Sequence, residues 1–145
     1  MNNLKPLILT FVQYVTLIWL MAMNKWFSDN VLLFGFQMAG IILGFWAIYE
    51  MSRSRLNITP TPLSGSVLIQ SGPYKLVRHP MYLALILVFV PMLITNFNLW
   101  GAIIFLVFFV NLILKMMYEE KLLFSFFDNY YAYSEKSWRL IPYVY

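Results

Sequence analysis

The chain has 145 residues, of which 61% are hydrophobic and 11% are charged, and its mean hydropathy is +0.71. A soluble domain of this size cannot bury so much apolar surface, so we expect one all-α integral membrane domain over residues 1–145. The absence of cysteine excludes disulfides and thiolate chemistry, and a single histidine argues against a multi-histidine metal site. The net charge of +4 is better explained by basic residues beside membrane spans than by a nucleic-acid partner.

Four apolar segments approach the length of about 20 residues that a bilayer crossing requires, namely residues 7–23, 31–49, 80–95 and 99–117. The first lacks a small-residue cleavage site and is interpreted as a span rather than a signal peptide. In the second, Gly40 and Gly44 form a pattern of small residues that lets another helix approach closely. A short turn at residues 96–98 predicts an antiparallel hairpin of the third and fourth spans, the third kinked at Pro91.

The cations are unevenly distributed among the connections. The loop after the second span and the chain from the end of the fourth span onward carry most of them: Arg53, Arg55, Lys75, Arg78, Lys115, Lys121, Lys136 and Arg139. The first connection has only Lys25, beside Asp29. The positive-inside rule therefore predicts a cytoplasmic location for loop two, for residues 118–145 and for both termini, in a bacterial inner membrane.

The C-terminal segment has its own apolar periodicity. Side chains recur at helical spacing at Leu122, Leu123, Phe126, Phe127 and Tyr130. This spacing predicts an amphipathic helix near the lipid headgroups. The last aromatic residues suit an interfacial belt: Trp138, Tyr143 and Tyr145.

The stretch GPYKLVRHPMY, residues 72–82, concentrates polar chemistry at the start of the third span. Pro80 suits the first helical position, which places His79 at or beside the N-cap, where free backbone N–H groups attract anions. Arg78 adds a full charge, and Gly72 permits a tight or left-handed turn. These features predict a rigid cationic corner at the membrane surface; the alternative is a basic anchor with a well-capped helix.

Two carboxylates, Glu119 and Glu120, follow the fourth span, and Lys115 precedes Glu119 by one helical turn. Carboxylates at the edge of a bilayer are costly unless they are hydrated or paired, so they are candidates for a functional site. The alternative is that both simply extend into water. The i,i+4 spacing predicts that Lys115 and Glu119 share one helix face.

The segment LIQSGPYKLVRHPMYLA, followed by YEEKLL, FFDNYYAY and RLIP, resembles the isoprenylcysteine carboxyl methyltransferase family. That group also includes bacterial membrane methyltransferases and, more distantly, phospholipid methyltransferases. The resemblance covers residues 66–142 and implies S-adenosylmethionine bound on the cytoplasmic side, in a pocket formed by loop two and the C-terminal helix. It also implies a lipophilic or prenylated methyl acceptor. The family usually has a glycine where this chain has Phe127 or Asp128, which leaves open which glutamate corresponds to the functional one.

The resemblance also implies residue roles. Ser66, Val67, Leu68 and Ile69 would form a strand-like approach to the cofactor, and its principal contacts would be Tyr74, His79, Pro80, Met81 and Tyr82. Glu119 or Glu120, with Lys115, would form the catalytic group near the acceptor, and no metal is implied. Methyl transfer mainly requires alignment and exclusion of water, and a carboxylate acceptor is already ionised at pH 7.

Two other functions compete with methyl transfer. One is an NADPH-dependent reductase of the sterol type, because the ending RLIPYVY is similar to such enzymes, although they are much larger. The other is a non-enzymatic membrane scaffold whose motifs are caps and anchors. The sequence leaves open the acceptor and whether its accepting atom is oxygen, nitrogen or sulfur.

Overall fold

The computed structural model describes residues 4–53 and 66–144, and within these ranges it is helical with no β-strand. Arg55 and Tyr145, which belong to the predicted charge and aromatic patterns, lie outside the described residues. The elements are α1 (Leu4–Met23), α2 (Val31–Met51), a 3-10 helix (Gly72–Lys75), α3 (Pro80–Thr95), α4 (Leu99–Phe126) and α5 (Tyr130–Ser134).

Three of these helices, α1, α2 and α4, are long and apolar enough to cross a membrane, and α3 is a shorter apolar helix of 16 residues. The expected all-helical architecture is confirmed for the described residues; of the four predicted spans, three have the length of a bilayer crossing and α3 is shorter. Polar side chains fix where two helices begin. Asn30 accepts hydrogen bonds from the backbone N–H groups of Leu32 and Leu33, and Asn98 accepts one from Gly101.

The predicted separate amphipathic helix is not formed as one element. Instead, α4 continues nine residues beyond the predicted limit of 117, to Phe126, and includes Leu122 and Leu123. Phe127 has extended backbone angles and ends the helix, and the short α5 follows at Tyr130. The helical periodicity was correctly recognised, but it belongs to the extension of α4, since nothing in the spacing marks where the bilayer ends.

The helices pack as two pairs, α2 against α3 and α1 against α4. At Gly40 an added Cβ would lie 2.8 Å from the Cβ of Leu87 and 2.9 Å from the carbonyl oxygen of Ala84, so the close α2–α3 approach requires a glycine there. Between α1 and α4, Asn111 donates to the carbonyl of Leu9. Apolar side chains from α1, α3 and α4 form the shared core: Leu20, Phe89, Met92, Phe108, Leu112 and Met116.

The two ends of the bundle differ in character. At one end Lys25 and Asn96 exchange hydrogen bonds, which joins the first connection to the α3–α4 turn. At the other end the C-terminal segment pairs with loop two: Trp138 donates to Leu76, and Arg78 donates back to Trp138 at 2.8 Å. The two polar segments therefore lie at the same end of the bundle.

Candidate functional site

A tight corner precedes α3. The N-cap of α3 is His79 and the first residue of α3 is Pro80, as the sequence predicts. Gly72 has a φ of 56°, and a Cβ there would lie 2.6 Å from Cγ of Glu50, so both backbone conformation and space require glycine. Glu50, buried at the end of α2, also accepts a hydrogen bond from the Ser71 hydroxyl. The end of α2 thus holds the corner in place.

Glu120 is the centre of a buried ion cluster behind this corner. Its carboxylate lies 2.9 Å from Nε of Arg78 and 2.8 Å from Nε of Arg139, and only 5% of its side chain is exposed. Arg78 donates further to the backbone carbonyls of Ser134 and Ser137. The cluster therefore joins α4, the corner and the C-terminal segment.

Glu119 has different partners. The Tyr82 hydroxyl donates to its Oε1 at 2.6 Å, and Nδ1 of His79 lies 3.8 Å from its Oε2. The rings of His79 and Tyr82 are stacked, with centroids 5.4 Å apart and planes 10° from parallel. Three residues from two helices thus form a compact polar group.

Lys115 is buried on α4, one turn before Glu119. Its Nζ donates to Oε1 of Gln13 at 2.7 Å and lies 5.8 Å from the centroid of the Tyr82 ring. The ammonium is therefore held by a neutral amide from α1, although the sequence predicts a partner on its own helix. The sequence analysis missed Gln13; the signal available was a polar side chain in the middle of an apolar span.

A cavity of about 660 Å³ lies between the helices and reaches the corner. It is lined by every predicted site residue except Glu120: Ser66, Val67, Leu68, Ile69, Tyr74, His79, Pro80, Met81, Tyr82, Lys115 and Glu119. Residues 66–69 line it as a segment that belongs to no named helix or strand, and their approach to the cofactor stays a prediction. Lining residues that were not predicted include Gln13, Tyr14, Arg78, Tyr130 and Tyr133.

Three phenols line the end of the cavity near the corner. The hydroxyls of Tyr74 and Tyr130 are buried and have no hydrogen-bond partner among the described residues. Burial raises the pKa of both well above the usual range, so they remain protonated donors. Burial likewise raises the pKa of Tyr133 to about 12, and this phenol donates to the carbonyl of Tyr74 at 2.6 Å. Unpartnered buried hydroxyls on a cavity wall are typical of a site that binds a polar ligand.

The phospholipid methyltransferase family model matches residues 30–130, which include α2, the corner, α3 and α4. The chain belongs to the phospholipid methyltransferase family. This family is part of the isoprenylcysteine carboxyl methyltransferase-like group of membrane methyltransferases, so the resemblance seen in the sequence is confirmed. No curated protein matches the sequence.

Membership in the phospholipid methyltransferase family makes the chain a membrane methyltransferase and favours methyl transfer over the reductase and scaffold alternatives. The matched range leaves out α1 and the whole segment after Tyr130. Several contacts of the site therefore come from outside it, including those of Gln13 with Lys115, Tyr133 with Tyr74 and Arg139 with Glu120.

Proposed function

We propose that the protein is an integral membrane methyltransferase that uses S-adenosylmethionine to methylate a lipophilic acceptor. The observation that supports this proposal is one continuous cavity, which joins the phenols and the polar group at the corner to an apolar region deeper in the bundle. A polar cofactor and an apolar acceptor can meet only where a polar region and an apolar region of a cavity are continuous. The family membership supplies the reaction class.

The polar end of the cavity fits this cofactor. Tyr74 and Tyr130 offer unpartnered hydroxyls, and Glu119 offers a carboxylate for a cationic group. The rings of Tyr74 and Tyr82 can stabilise a sulfonium by cation–π contact. The remaining contacts would come from the irregular segment and the start of α3: Ser66, Val67, Leu68, Ile69, His79, Pro80 and Met81. When bound, S-adenosylmethionine supplies an activated methyl group for in-line displacement.

The apolar end suits the acceptor. It is lined by α1, α2 and α3 side chains that include Leu17, Phe45, Leu85, Val88 and Phe89. A lipid-soluble or prenylated acceptor can enter this region from the bilayer, while the cofactor enters from water. Enclosure by these side chains excludes water from the reacting groups.

The chemistry of the accepting atom determines what Glu119 has to do. A carboxylate, as in isoprenylcysteine O-methylation, is ionised at pH 7 and requires no base. A lipid amine would have to lose a proton, and Glu119 is a carboxylate on the cavity wall that can accept it. Lys115 lies beside the same space and suits an acidic acceptor.

The orientation follows from the charges at the two ends. The end that contains the corner carries Arg53, Lys75, Lys121 and Lys136, and the opposite end carries Lys25 against Asp29. We propose that the corner faces the cytoplasm, in a bacterial inner membrane.

Calorimetry with S-adenosylhomocysteine on the detergent-purified protein tests the cofactor, with NADPH as the comparison ligand. We expect binding of S-adenosylhomocysteine alone. Binding of NADPH instead would support a reductase, and binding of neither would support a scaffold. A screen with methyl-labelled S-adenosylmethionine against prenylcysteines, fatty acids and aminophospholipids then identifies the acceptor.

A further inference from the structure

Gln13 brings α1 into the site although α1 lies outside the region that the family model matches. Its side chain is on the cavity wall and the residue is only 8% exposed. A buried amide in a membrane helix is costly unless it has a partner or a task. Its neighbours on α1 include apolar side chains that are exposed on the outside of the bundle, such as Phe11 and Val15.

The partner of Gln13 is the ammonium of Lys115, at 2.7 Å. A glutamine oxygen fixes the position of an ammonium without cancelling its charge, whereas a carboxylate would neutralise it. One turn before Lys115, Asn111 donates to the carbonyl of Leu9, which fixes α1 on α4 in the same register. The geometry therefore holds a buried cation at a defined point of the cavity wall.

That point lies next to the polar group around Glu119. The Lys115 ammonium is 5.8 Å from the centroid of the Tyr82 ring, and the hydroxyl of this tyrosine binds Glu119. Arg78, the other lysine or arginine on the cavity wall, pairs with the Glu120 carboxylate, which it shares with Arg139. Lys115 is thus the cavity-lining cation whose described hydrogen-bond partner is neutral.

We propose that Gln13 is a positioning residue, which holds Lys115 so that the pair binds an anionic oxygen of the methyl acceptor. The inference rests on the proposed function, because the ligand in question is the acceptor. Both a carboxylate and a lipid phosphate present this oxygen on an apolar chain. Gln13 lies outside residues 30–130, which the family model matches, so its role is assigned from the contacts of this chain alone.

Three probes with hydrocarbon chains of the same length test the Gln13–Lys115 pair: hexadecanoate, hexadecyl phosphate and hexadecanol. Each competes with a photoreactive hexadecanol for labelling of the full-length protein in an uncharged detergent. For the wild type we expect at least one anionic probe to compete about tenfold better than hexadecanol, as for loss of one charge-assisted hydrogen bond. Preference for hexadecanoate would indicate a carboxylate, and preference for hexadecyl phosphate would indicate a phospholipid.

Gln13→Leu and Lys115→Met should each remove the anionic preference and leave hexadecanol competition unchanged. Gln13→Glu keeps an oxygen for Lys115 but cancels its charge, so it should lose the preference while retaining wild-type thermal stability. The matched control is Gln37→Leu. Gln37 is also buried, but it bonds Trp26 and Ser28 at the opposite end of the bundle, so this variant should lose stability and keep the preference.

A wild type without anionic preference, or a Gln13→Leu variant that keeps it, would overturn the inference. S-adenosylhomocysteine calorimetry on the same preparations separates this result from the proposed function. Anionic preference without cofactor binding rejects the proposed cofactor and leaves the positioning role of Gln13. Cofactor binding without anionic preference rejects only the positioning role.

Discussion

Glu119 and Glu120 are consecutive residues of α4, yet their carboxylates have separate surroundings. Glu119 lies on the cavity wall and accepts a hydrogen bond from Tyr82, whereas Glu120 is enclosed between Arg78 and Arg139. Successive helical residues point about 100° apart, which is sufficient to direct one side chain to the cavity and the other to the ion cluster. The sequence left open which glutamate is functional, and this division favours Glu119 as the catalytic candidate and Glu120 as a structural residue.

We therefore expect Glu119→Gln to affect mainly turnover and Glu120→Gln to affect mainly stability. Glu119→Gln should lower turnover about tenfold or more and leave thermal stability nearly unchanged, because it removes a charge from the cavity wall. Glu120→Gln should lower the free energy of unfolding by about 3 kcal/mol, because the mostly buried Arg78 and the partly exposed Arg139 lose a buried counter-ion. Thermal unfolding and methyl-transfer assays on both variants measure these effects. Equal, mild effects would contradict this division into a catalytic and a structural glutamate.

His79 lies between the two glutamates and caps α3, so its removal tests whether the corner binds the cofactor. His79→Ala should weaken S-adenosylhomocysteine binding by about 1.5–3 kcal/mol if a charge-assisted hydrogen bond is lost. Calorimetry on monodisperse protein is the measurement. Lys75→Ala is the control, since Lys75 is an exposed cation of the same loop. Unchanged affinity in His79→Ala would show that the imidazole does not contribute to cofactor binding.

Tyr82→Phe removes one hydroxyl and keeps the ring that stacks on His79. Because this hydroxyl orients the Glu119 carboxylate, the variant should lose about tenfold in turnover with little change in thermal stability. Tyr131→Phe, at an exposed position of α5, should behave as wild type. A Tyr82→Phe enzyme with full activity would show that the hydrogen bond only satisfies a buried carboxylate.

Local patterns in the sequence predicted the helix start and the helix contact that frame this site, because such patterns depend on neighbours in the chain. Proline at the first helical position and histidine before it gave the start of α3, and the small residues of α2 predicted the close approach at Gly40. The contacts that the sequence did not predict join residues that are far apart in the chain. The partner of Lys115 is 102 positions away on α1, and Arg139 reaches Glu120 only after the chain has turned back over the corner.

The sequence pattern also did not predict where the helix of the fourth span ends. Residues 118–126 are less apolar than the preceding span, which indicates the membrane boundary but not the end of the helix. Within this extension Glu120 pairs with Arg78 and Arg139, which offsets part of the cost of burying its carboxylate.

The orientation in the membrane is tested by the location of reporters. Since loop two and the C-terminal segment pair with each other at one end of the bundle, and Lys25 and Asn96 contact each other at the opposite end, reporters at these two ends must fall on different sides. Fusions at Met1 and Tyr145 should be active as cytoplasmic reporters, and an insertion beside Asp29 should be active as an external one.

Reducing the charge excess should weaken this orientation. Replacing Lys75, Lys121 and Lys136 with glutamine removes exposed cations from the corner end without altering the Glu120 cluster. An external reading at Tyr145 in the unaltered chain would reject a cytoplasmic corner, and with it the entry of a soluble cofactor from that side.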